Sequence, residues 1–422
     1  MPNFAVLTEL NTLGKMDKFL YDSPELTFFR YQHMKTTNFA VDQILTPMSG
    51  NNNTRFAEIE REGDLALNCY MVVDVPGMDD TAKDNAGLAM IDNVQLTIGN
   101  QCVERLSGAY MMAWDELSGG RKQLTKTSNS ENKLIAAEDA GQAHRLYVPL
   151  PFTFTKNSGA ALPLIGLQFH AVKITVQLRN VTDIYEGKII MDAYQSSKGK
   201  TADAADAADG DAVSSWNDFQ FHLLTNQVYL DKEERNAFAD YSNDVLIEQV
   251  QERKLSKHNL NRPFQLTYNH SISELIWAIA NDECKFELDL GNKPGADEDE
   301  NTEDPTGPAI TAEGISEVSL KLNNHERFHA LGKHGDYFRK VQPYEHHTNV
   351  RSSKIYCYNF GLKPEDAQPS GSINMSRIDN VMMTLHSDIP DGKQSDYDYY
   401  LWARNYNVLR IQNGMGGLVL TS

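Results

Sequence analysis

The chain has 422 residues, is 41% hydrophobic and 23% charged, and carries a formal net charge of −19. This length predicts about two or three domains. The negative net charge would repel nucleic acid, and no local cluster of basic residues is visible that would offset it, so direct nucleic-acid binding is not expected. No apolar run approaches the roughly 20 residues that span a bilayer, and the first residues lack a secretory signal pattern.

The spacing of the cysteines in the sequence does not suggest a shared disulfide or metal site. Cys69, Cys102, Cys284 and Cys357 lie far apart and form no C-x-x-C pair. This spacing favours free thiols in a reducing compartment over a disulfide framework or a zinc site.

The first part of the chain changes character near Glu25. Residues 1–24 show little pattern and predict an arm or a short helix. From Glu25 onward Leu26, Phe28 and Tyr31 indicate β-structure.

Clear strand patterns follow. LALNCYMVVDVP, which ends at Pro76-Gly77, predicts a strand, and Val94, Leu96 and Ile98 alternate up to a turn at Gly99-Asn100. Apolar residues around Trp114 cluster without alternation and are compatible with a short helix. Residues 119–145 are polar and predict a long loop.

The stretch from Tyr147 to Leu178 is the most strongly patterned. Two apolar runs flank a turn at residues 156–159, and the phase of the second run slips by one residue after Ala171. Period-two alternation is typical of half-buried strands and a single slip is typical of a β-bulge. We therefore expect a pair of strands in one antiparallel sheet.

The middle of the chain contains a loop and a helix. Residues 195–215 are of low complexity and predict a loop, because they offer few apolar side chains. Asp231–Tyr241 has an acidic first turn and an apolar patch, and predicts a short helix. This helix either connects two domains or lies on the surface of one.

The second half repeats the order of elements of the first. Val318, Leu320 and Leu322 precede Glu326-Arg327, as Val94, Leu96 and Ile98 precede Glu104-Arg105, and CYNFGL (357–362) is a counterpart of PLPFTF (149–154). The alternating strand at 381–385 corresponds to that at 172–178. An acidic loop is expected at 292–308. The shared order favours two similar β-domains in tandem.

One motif suggests metal chemistry. His325-Glu326-Arg327-Phe328-His329 matches H-E-x-x-H, in which two histidines on a helix bind zinc and the glutamate is the general base. This match follows a strand and an Asn323-Asn324 turn, which is the wrong context. His346-His347 is interpreted as a solvated pair in a loop, and no nucleophile motif is found. We therefore predict no catalytic, cofactor-binding or metal-binding residues, and no cofactor.

Taken together, several segments resemble the major capsid proteins of nucleocytoplasmic large DNA viruses, a double jelly-roll family. The matching segments are 25–42, 61–65, 91–117, 147–178, 229–251, 269–279, 371–386 and 405–422. Residues 119–145, 186–216 and 292–314 show no family pattern.

The resemblance implies an all-β fold of two tandem eight-stranded jelly rolls with a short connecting helix and long surface loops. The expected divisions are an N-terminal arm at 1–24, a first jelly roll at 25–224, a connecting segment at 225–245 and a second jelly roll at 246–422.

The resemblance also implies a structural, non-enzymatic protein of the virion. Three copies would form a homotrimeric, pseudo-hexameric capsomer of an icosahedral shell that assembles in the host cytoplasm. Neighbouring capsomers and minor capsid and penton proteins are the implied partners, and the base would lie near an internal viral membrane.

Two alternatives belong to other classes. One is a zinc peptidase that uses His325, Glu326 and His329. The other is a carbohydrate-binding pair of β-sandwiches, which would line one sheet face with exposed aromatic side chains.

Overall fold

The structure is a computed structural model with two compact units, Met1–Asn38 and Phe39–Ser422. It describes residues 4–12, 21, 23–31, 33–75, 86–118, 144–181, 215–240, 243–256, 261–281, 315–328, 330–348, 355–387 and 397–420.

The described residues of the first unit include the helix α1 (Phe4–Asn11). Residues 23–31 and 33–38 form no strand, so the β-structure predicted from Glu25 is wrong for this segment. Its apolar side chains, Phe28 and Tyr31 among them, are exposed. Sequence alternation alone does not make a strand, since a strand also needs a neighbour with which to pair.

The second unit is built mainly from β-strands. These are β1 (Phe39–Pro47), β2 (Ser49–Asn51), β3 (Thr54–Glu58), β4 (Leu65–Val75), β5 (Ile91–Ile98), β6 (Gln101–Ser107), β7 (His144–Pro149), β8 (Leu162–Pro163), β9 (Val172–Leu178), β10 (Gln220–Leu230), β11 (Asn243–Ser256), β12 (Phe264–Gln265), β13 (Ser271–Asn281), β14 (Glu317–Leu322), β15 (His325–Glu326), β16 (Ile355–Asn359), β17 (Ile373–Asn374), β18 (Val381–His386), β19 (Tyr397–Gln412) and β20 (Met415–Leu418).

Short helices connect the strands. They are α2 (Ala86–Ala89), α3 (Gly108–Ser118), α4 (Thr153–Lys156), α5 (Lys232–Asp240) and α6 (Gln342–His346). The helix predicted at Asp231–Tyr241 is confirmed as α5, and the helix around Trp114 as α3. Among the described residues, no helix is long and apolar enough to cross a membrane.

The strands up to β10 form a sandwich of two antiparallel sheets. One sheet has the order β1-β10-β4-β7 and the other β2-β3-β9-β5-β6. Alternate side chains of both sheets, such as Val73 of β4 and Ile174 of β9, point into one buried cluster. Burial of this shared apolar surface is the main force that holds the two sheets together.

The remaining strands form a second sandwich with the same topology. Its sheets have the orders β11-β19-β13-β16 and β12-β18-β14-β15, and Trp277, Leu320 and Leu401 lie in its core. The corresponding pairs are β1 and β11, β10 and β19, β4 and β13, β7 and β16, β3 and β12, β9 and β18, β5 and β14, and β6 and β15. The predicted internal repeat is therefore confirmed, and the fold is a double jelly roll.

The predicted pairing within 147–178 is wrong. β7 pairs with β4 in one sheet, whereas β9 pairs with β3 and β5 in the other, so the two runs lie in opposite layers. Residues 167–171 form no strand, and the phase slip marks the start of β9 at Val172 rather than a bulge. Apolar periodicity reports which face is buried, but it does not report which strand is the neighbour.

The predicted loops fall largely outside the described residues. This holds for 119–143, 195–214 and 292–308, while residues 144–145 belong to β7 and Ser215 precedes a short helical turn.

Candidate functional site at the junction of the two sandwiches

The H-E-x-x-H match does not form a helical metal site in the described residues. His325 and Glu326 lie on strand β15, after a turn in which Asn323 and Asn324 have positive φ, and His329 lies outside the described residues. The Glu326 carboxylate accepts hydrogen bonds from Ser319 Oγ at 2.9 and 3.0 Å. A zinc peptidase needs both histidines on one helical face, so this geometry does not support the peptidase alternative.

The interpretation of His346-His347 as a solvated pair is wrong for His347. His347 follows α6 and is buried, and its ring Nε2 lies 2.6 Å from Glu274 Oε1. Its Nδ1 lies 3.1 Å from Glu365 Oε1. The ring therefore bridges two carboxylates, which keeps a charged residue stable in the interior.

Arg404 of β19 joins this pair to a larger charged cluster. Its guanidinium donates to Glu274 Oε2 at 2.9 Å, to Glu248 Oε2 at 2.8 Å and to the Pro364 carbonyl at 3.0 Å. The two Nη atoms of the planar guanidinium thus donate to two different carboxylates. We call Glu248, Glu274, His347, Glu365 and Arg404, together with Lys156 of the first sandwich, the junction cluster.

The charges of the junction cluster stabilise one another. Burial alone raises the pKa of Glu274, but the charges of His347 and Arg404 outweigh burial and lower it below its usual value. Burial lowers the pKa of His347, but Glu274 and its other hydrogen-bond partners raise it to about 12, so the imidazole is protonated. Opposed shifts of this kind are typical of a buried ion-pair network.

Lys156 connects the cluster to the first sandwich. Its Nζ donates to Glu248 Oε2 at 2.7 Å. Burial raises the pKa of Glu248, but Lys156 and Arg404 reverse this effect and lower it to about 2. Thr153, on the same helix, places its hydroxyl 2.9 Å from the Glu248 backbone nitrogen and 3.1 Å from its carbonyl oxygen. The first sandwich thus supplies hydrogen-bond partners to the backbone of β11 at Glu248.

Aromatic side chains cover the cluster. The Arg404 guanidinium lies 4.1 Å from the centre of the Trp114 ring of α3, and Tyr110 of α3 packs edge to face on Trp402 of β19. Rings from one sandwich therefore shield the charges of the other from water, which strengthens each ion pair.

Two residues of the junction cluster form, with the neighbouring Cys357, a triad of metal-binding residue types. The ligand atoms of Glu274, His347 and Cys357 lie within 4.8 Å of one another. However, Nε2 and Oε1 are 2.6 Å apart, whereas two ligands of one tetrahedral zinc ion lie about 3.3 Å apart. Burial raises the pKa of the Cys357 thiol to about 11. The arrangement therefore fits a proton-bridged ion pair better than a metal site.

The three described cysteines are free thiols. Cys69 and Cys357 are buried and Cys102 is exposed, while Cys284 lies outside the described residues.

Two clefts open beside the cluster. One of about 230 Å³ is lined by Trp114, Lys156 and Glu365, and one of about 490 Å³ by Thr153, Glu248 and Tyr406. Lys156, Glu248 and Glu365 are each paired with another group of the protein. The geometry therefore indicates a role in fixing the two sandwiches relative to each other.

Glu104 of β6, beside the cluster, gives a prediction about pH. Burial raises its pKa to about 7, although its carboxylate accepts the Thr153 N–H at 3.0 Å. A carboxyl group whose folded pKa is raised stabilises the fold fully below its unfolded pKa of about 4.5, and this stability is lost as the pH rises through about 7.

Glu104→Gln keeps an acceptor for Thr153 and removes the titration. We expect the free energy of unfolding of the variant, minus that of the wild type, to grow by about 1 kcal/mol per pH unit between pH 5 and 7. Denaturant unfolding at several pH values measures this difference, and a difference independent of pH would contradict it.

Two signals could have located the junction cluster in the sequence. Glu274 interrupts the apolar run SISELIWAIA, and Arg404 interrupts LWARNYNVL. A charge at a core position of a central strand needs an opposite charge nearby. His347 offered no comparable signal, because its burial depends on the fold around it.

Sequence comparisons agree with the fold and cover both sandwiches. Residues 27–223 match the family described as the major capsid protein N-terminus, and residues 234–417 match the large eukaryotic DNA virus major capsid protein. The chain is 29% identical to the major capsid protein of Pyramimonas orientalis virus over 99% of each chain. It is also 29% identical to that of Paramecium bursaria Chlorella virus 1 over 98% of each chain.

Solved structures give the same result. A quasi-atomic model of the PBCV-1 virus capsid matches with a TM-score of 0.73 and 27% identity, covering 94% of this chain and 100% of that chain. The Faustovirus major capsid protein, at 12% identity and a TM-score of 0.65, covers 97% of this chain and 96% of that chain and supports the fold alone. Two consecutive family matches, relatives aligned from end to end and a repeated jelly roll lead to one conclusion: the chain belongs to the family of major capsid proteins of large eukaryotic DNA viruses, and is a structural protein of the virion shell.

Proposed function

We propose that three copies of the chain assemble into a pseudo-hexameric capsomer, the repeating unit of an icosahedral shell. The supporting observation is the repeat itself, since two sandwiches with the same strand order stand on one chain. Three such chains present six similar units around a threefold axis, and closed rotational symmetry makes the assembly finite.

The junction cluster supports this role. A capsomer of this kind needs a fixed angle between the two sandwiches of each chain, because every error in that angle is repeated at each contact. The salt bridge from Lys156 to Glu248 joins the two sandwiches. The salt bridges from Arg404 to Glu248 and Glu274 lie within the second sandwich, next to that contact. Buried ion pairs constrain geometry more than they add net stability.

The proposed role is structural and without catalysis. The proposed domain divisions are the arm at 1–24, a first jelly roll at 25–224, a connecting segment at 225–245 and a second jelly roll at 246–422. In the described residues the first strand starts at Phe39 and the second sandwich at Asn243.

The proposed partners are neighbouring capsomers, minor capsid and penton proteins and an internal membrane at the base, with assembly in the host cytoplasm and no direct contact with nucleic acid.

The mass of the purified protein tests the capsomer proposal. We expect native mass spectrometry at micromolar concentration to give three times the 47.5 kDa mass of the chain. A protein that stays monomeric at every concentration, or that forms only dimers, would refute it.

A further inference from the structure

Strands β1 and β11 occupy equivalent positions in the two sandwiches. Each is the edge strand of its sheet, and β1 pairs with β10 as β11 pairs with β19. The register shifts where β10 pairs with β4 and, in the same way, where β19 pairs with β13, and we call this shift the irregularity. Ile44 lies opposite Thr225, and Val250 lies opposite Arg404, at the same side of that irregularity. Counted from this side of the irregularity, Val41-Asp42-Gln43-Ile44 correspond to Ile247-Glu248-Gln249-Val250, four residues of matching chemical type.

The edge of β11 is covered within the chain. Thr153 and Lys156 bind Glu248, and Gln249 Nε2 donates to the Val103 carbonyl of β6 at 2.6 Å. Ile247 is only 4% exposed and belongs to the core cluster of the first sandwich. The first sandwich therefore supplies both polar and apolar partners to this strand.

The equivalent strand β1 is open. Val41, the counterpart of Ile247, is 49% exposed, and Leu45 on the same face is exposed as well. Asp42 and Gln43, the counterparts of Glu248 and Gln249, are also exposed. An apolar edge strand of this kind invites pairing with another chain unless it is covered.

The second sandwich carries the matching open surface. The segment Phe152-Thr153-Phe154, which follows β7 and leads into Lys156, corresponds to Phe360-Gly361-Leu362, which follows β16. Phe154 is 4% exposed, whereas Leu362 is 75% exposed and is followed by the exposed Lys363. The segment of the second sandwich that corresponds to the cover of β11 is thus exposed, with Gly361 in the place of Thr153.

We infer that residues 360–363 of one copy pack over β1 of a second copy, and so repeat between chains the contact that residues 152–156 make with β11 within the chain. Lys363 is one position before the counterpart of Lys156, and with Asp42 it supplies opposite charges as Lys156 and Glu248 do. The inference rests on the proposed trimer and names its contact surface. Because the two faces differ, the contact is heterologous, and it closes a ring of three chains when each chain is rotated by a third of a turn from the next, as the proposed trimer requires.

Single charges on the two faces test the inference. Val41→Glu and Leu362→Glu each bury a charge in the contact without a partner. We expect each to raise the concentration at which the trimer dissociates by at least about 100-fold. Leu246→Glu is the matched control, because Leu246 is 40% exposed on β11, next to the covered Ile247. It should leave the trimer unchanged. Native mass spectrometry across a dilution series reports all three.

Mixing the two variants tests the direction of the contact. Val41→Glu keeps an intact Leu362 face and Leu362→Glu keeps an intact Val41 face, so one productive contact remains between them. We expect each variant alone to be monomeric and the equimolar mixture to form a one-to-one dimer that cannot close. Thermal unfolding confirms that each variant is folded, and Val41→Ser and Leu362→Ser give smaller effects in the same direction if either glutamate variant is not.

The outcomes separate the inference from the capsomer proposal. A trimeric wild type whose dissociation is unchanged in both variants would overturn the inference and leave the capsomer proposal standing. A mixture that forms no dimer would overturn the head-to-tail arrangement. A wild type that is monomeric throughout would overturn the capsomer proposal, and the inference with it.

Discussion

Arg404→Met should lower the free energy of unfolding by about 3–5 kcal/mol. The guanidinium is fully buried and donates to Glu248 and Glu274. Methionine fills similar space without a charge, so each of the two carboxylates loses one of its two cationic partners and keeps the other, His347 for Glu274 and Lys156 for Glu248. The cost arises from this lost compensation rather than from a cavity.

Denaturant unfolding of the single chain measures this loss, and Arg410→Met is the control. Arg410 lies on the same strand and binds Asp244 through two hydrogen bonds of 2.8 Å, but both side chains are about half exposed. Water replaces an exposed ion pair at little cost, so the unfolding midpoint of the control should hardly move. Equal effects of the two substitutions would show that the junction cluster has no special role.

Gly335→Ala should destabilise the chain by about 3 kcal/mol or more. A Cβ at this position would lie 1.9 Å from the Ile315 carbonyl oxygen, which is backbone and cannot rotate away. Gly108 occupies the corresponding place in the first sandwich, where a Cβ would lie 2.0 Å from the Ile91 carbonyl oxygen. Gly108 directly follows β6, and Gly335 follows His334, which forms an isolated bridge to Glu317 of β14, so both sandwiches need a glycine where the chain leaves the sheet.

Gly332→Ala is the matched control for this substitution. Gly332 is three residues earlier, in a short helical turn, and a Cβ there meets nothing within 4 Å. We expect its melting temperature to stay at or slightly above that of the wild type, because alanine restricts the unfolded chain. A Gly335→Ala protein as stable as Gly332→Ala would show that the close approach to Ile315 is not a constraint.

Local patterns in the sequence predicted individual elements well. Alternation at Val94–Ile98 and at 172–178 predicted strands that the structure contains, because each strand buries one face against a sandwich core. The acidic first turn at Asp231 predicted α5. Pairing was not predictable in the same way, since β7 and β9 are close in sequence and yet belong to opposite sheets.

The junction cluster was harder to predict than the fold. Glu248, Glu274, His347 and Arg404 come from segments up to 156 residues apart, and only the folded chain brings their charges together. The shared order of elements in the two halves correctly predicted two similar sandwiches, although the two halves are only weakly similar residue by residue. Register, rather than sequence alone, aligns Val41-Asp42-Gln43 with Ile247-Glu248-Gln249.

Electron microscopy of the purified protein tests most directly whether the two sandwiches of one chain act as equivalent units. Averaged views along the symmetry axis should show six lobes of similar size that obey threefold symmetry. The alternating lobes should differ only where the two halves of the sequence differ. Particles with two or three lobes, or with no rotational symmetry, would contradict the account.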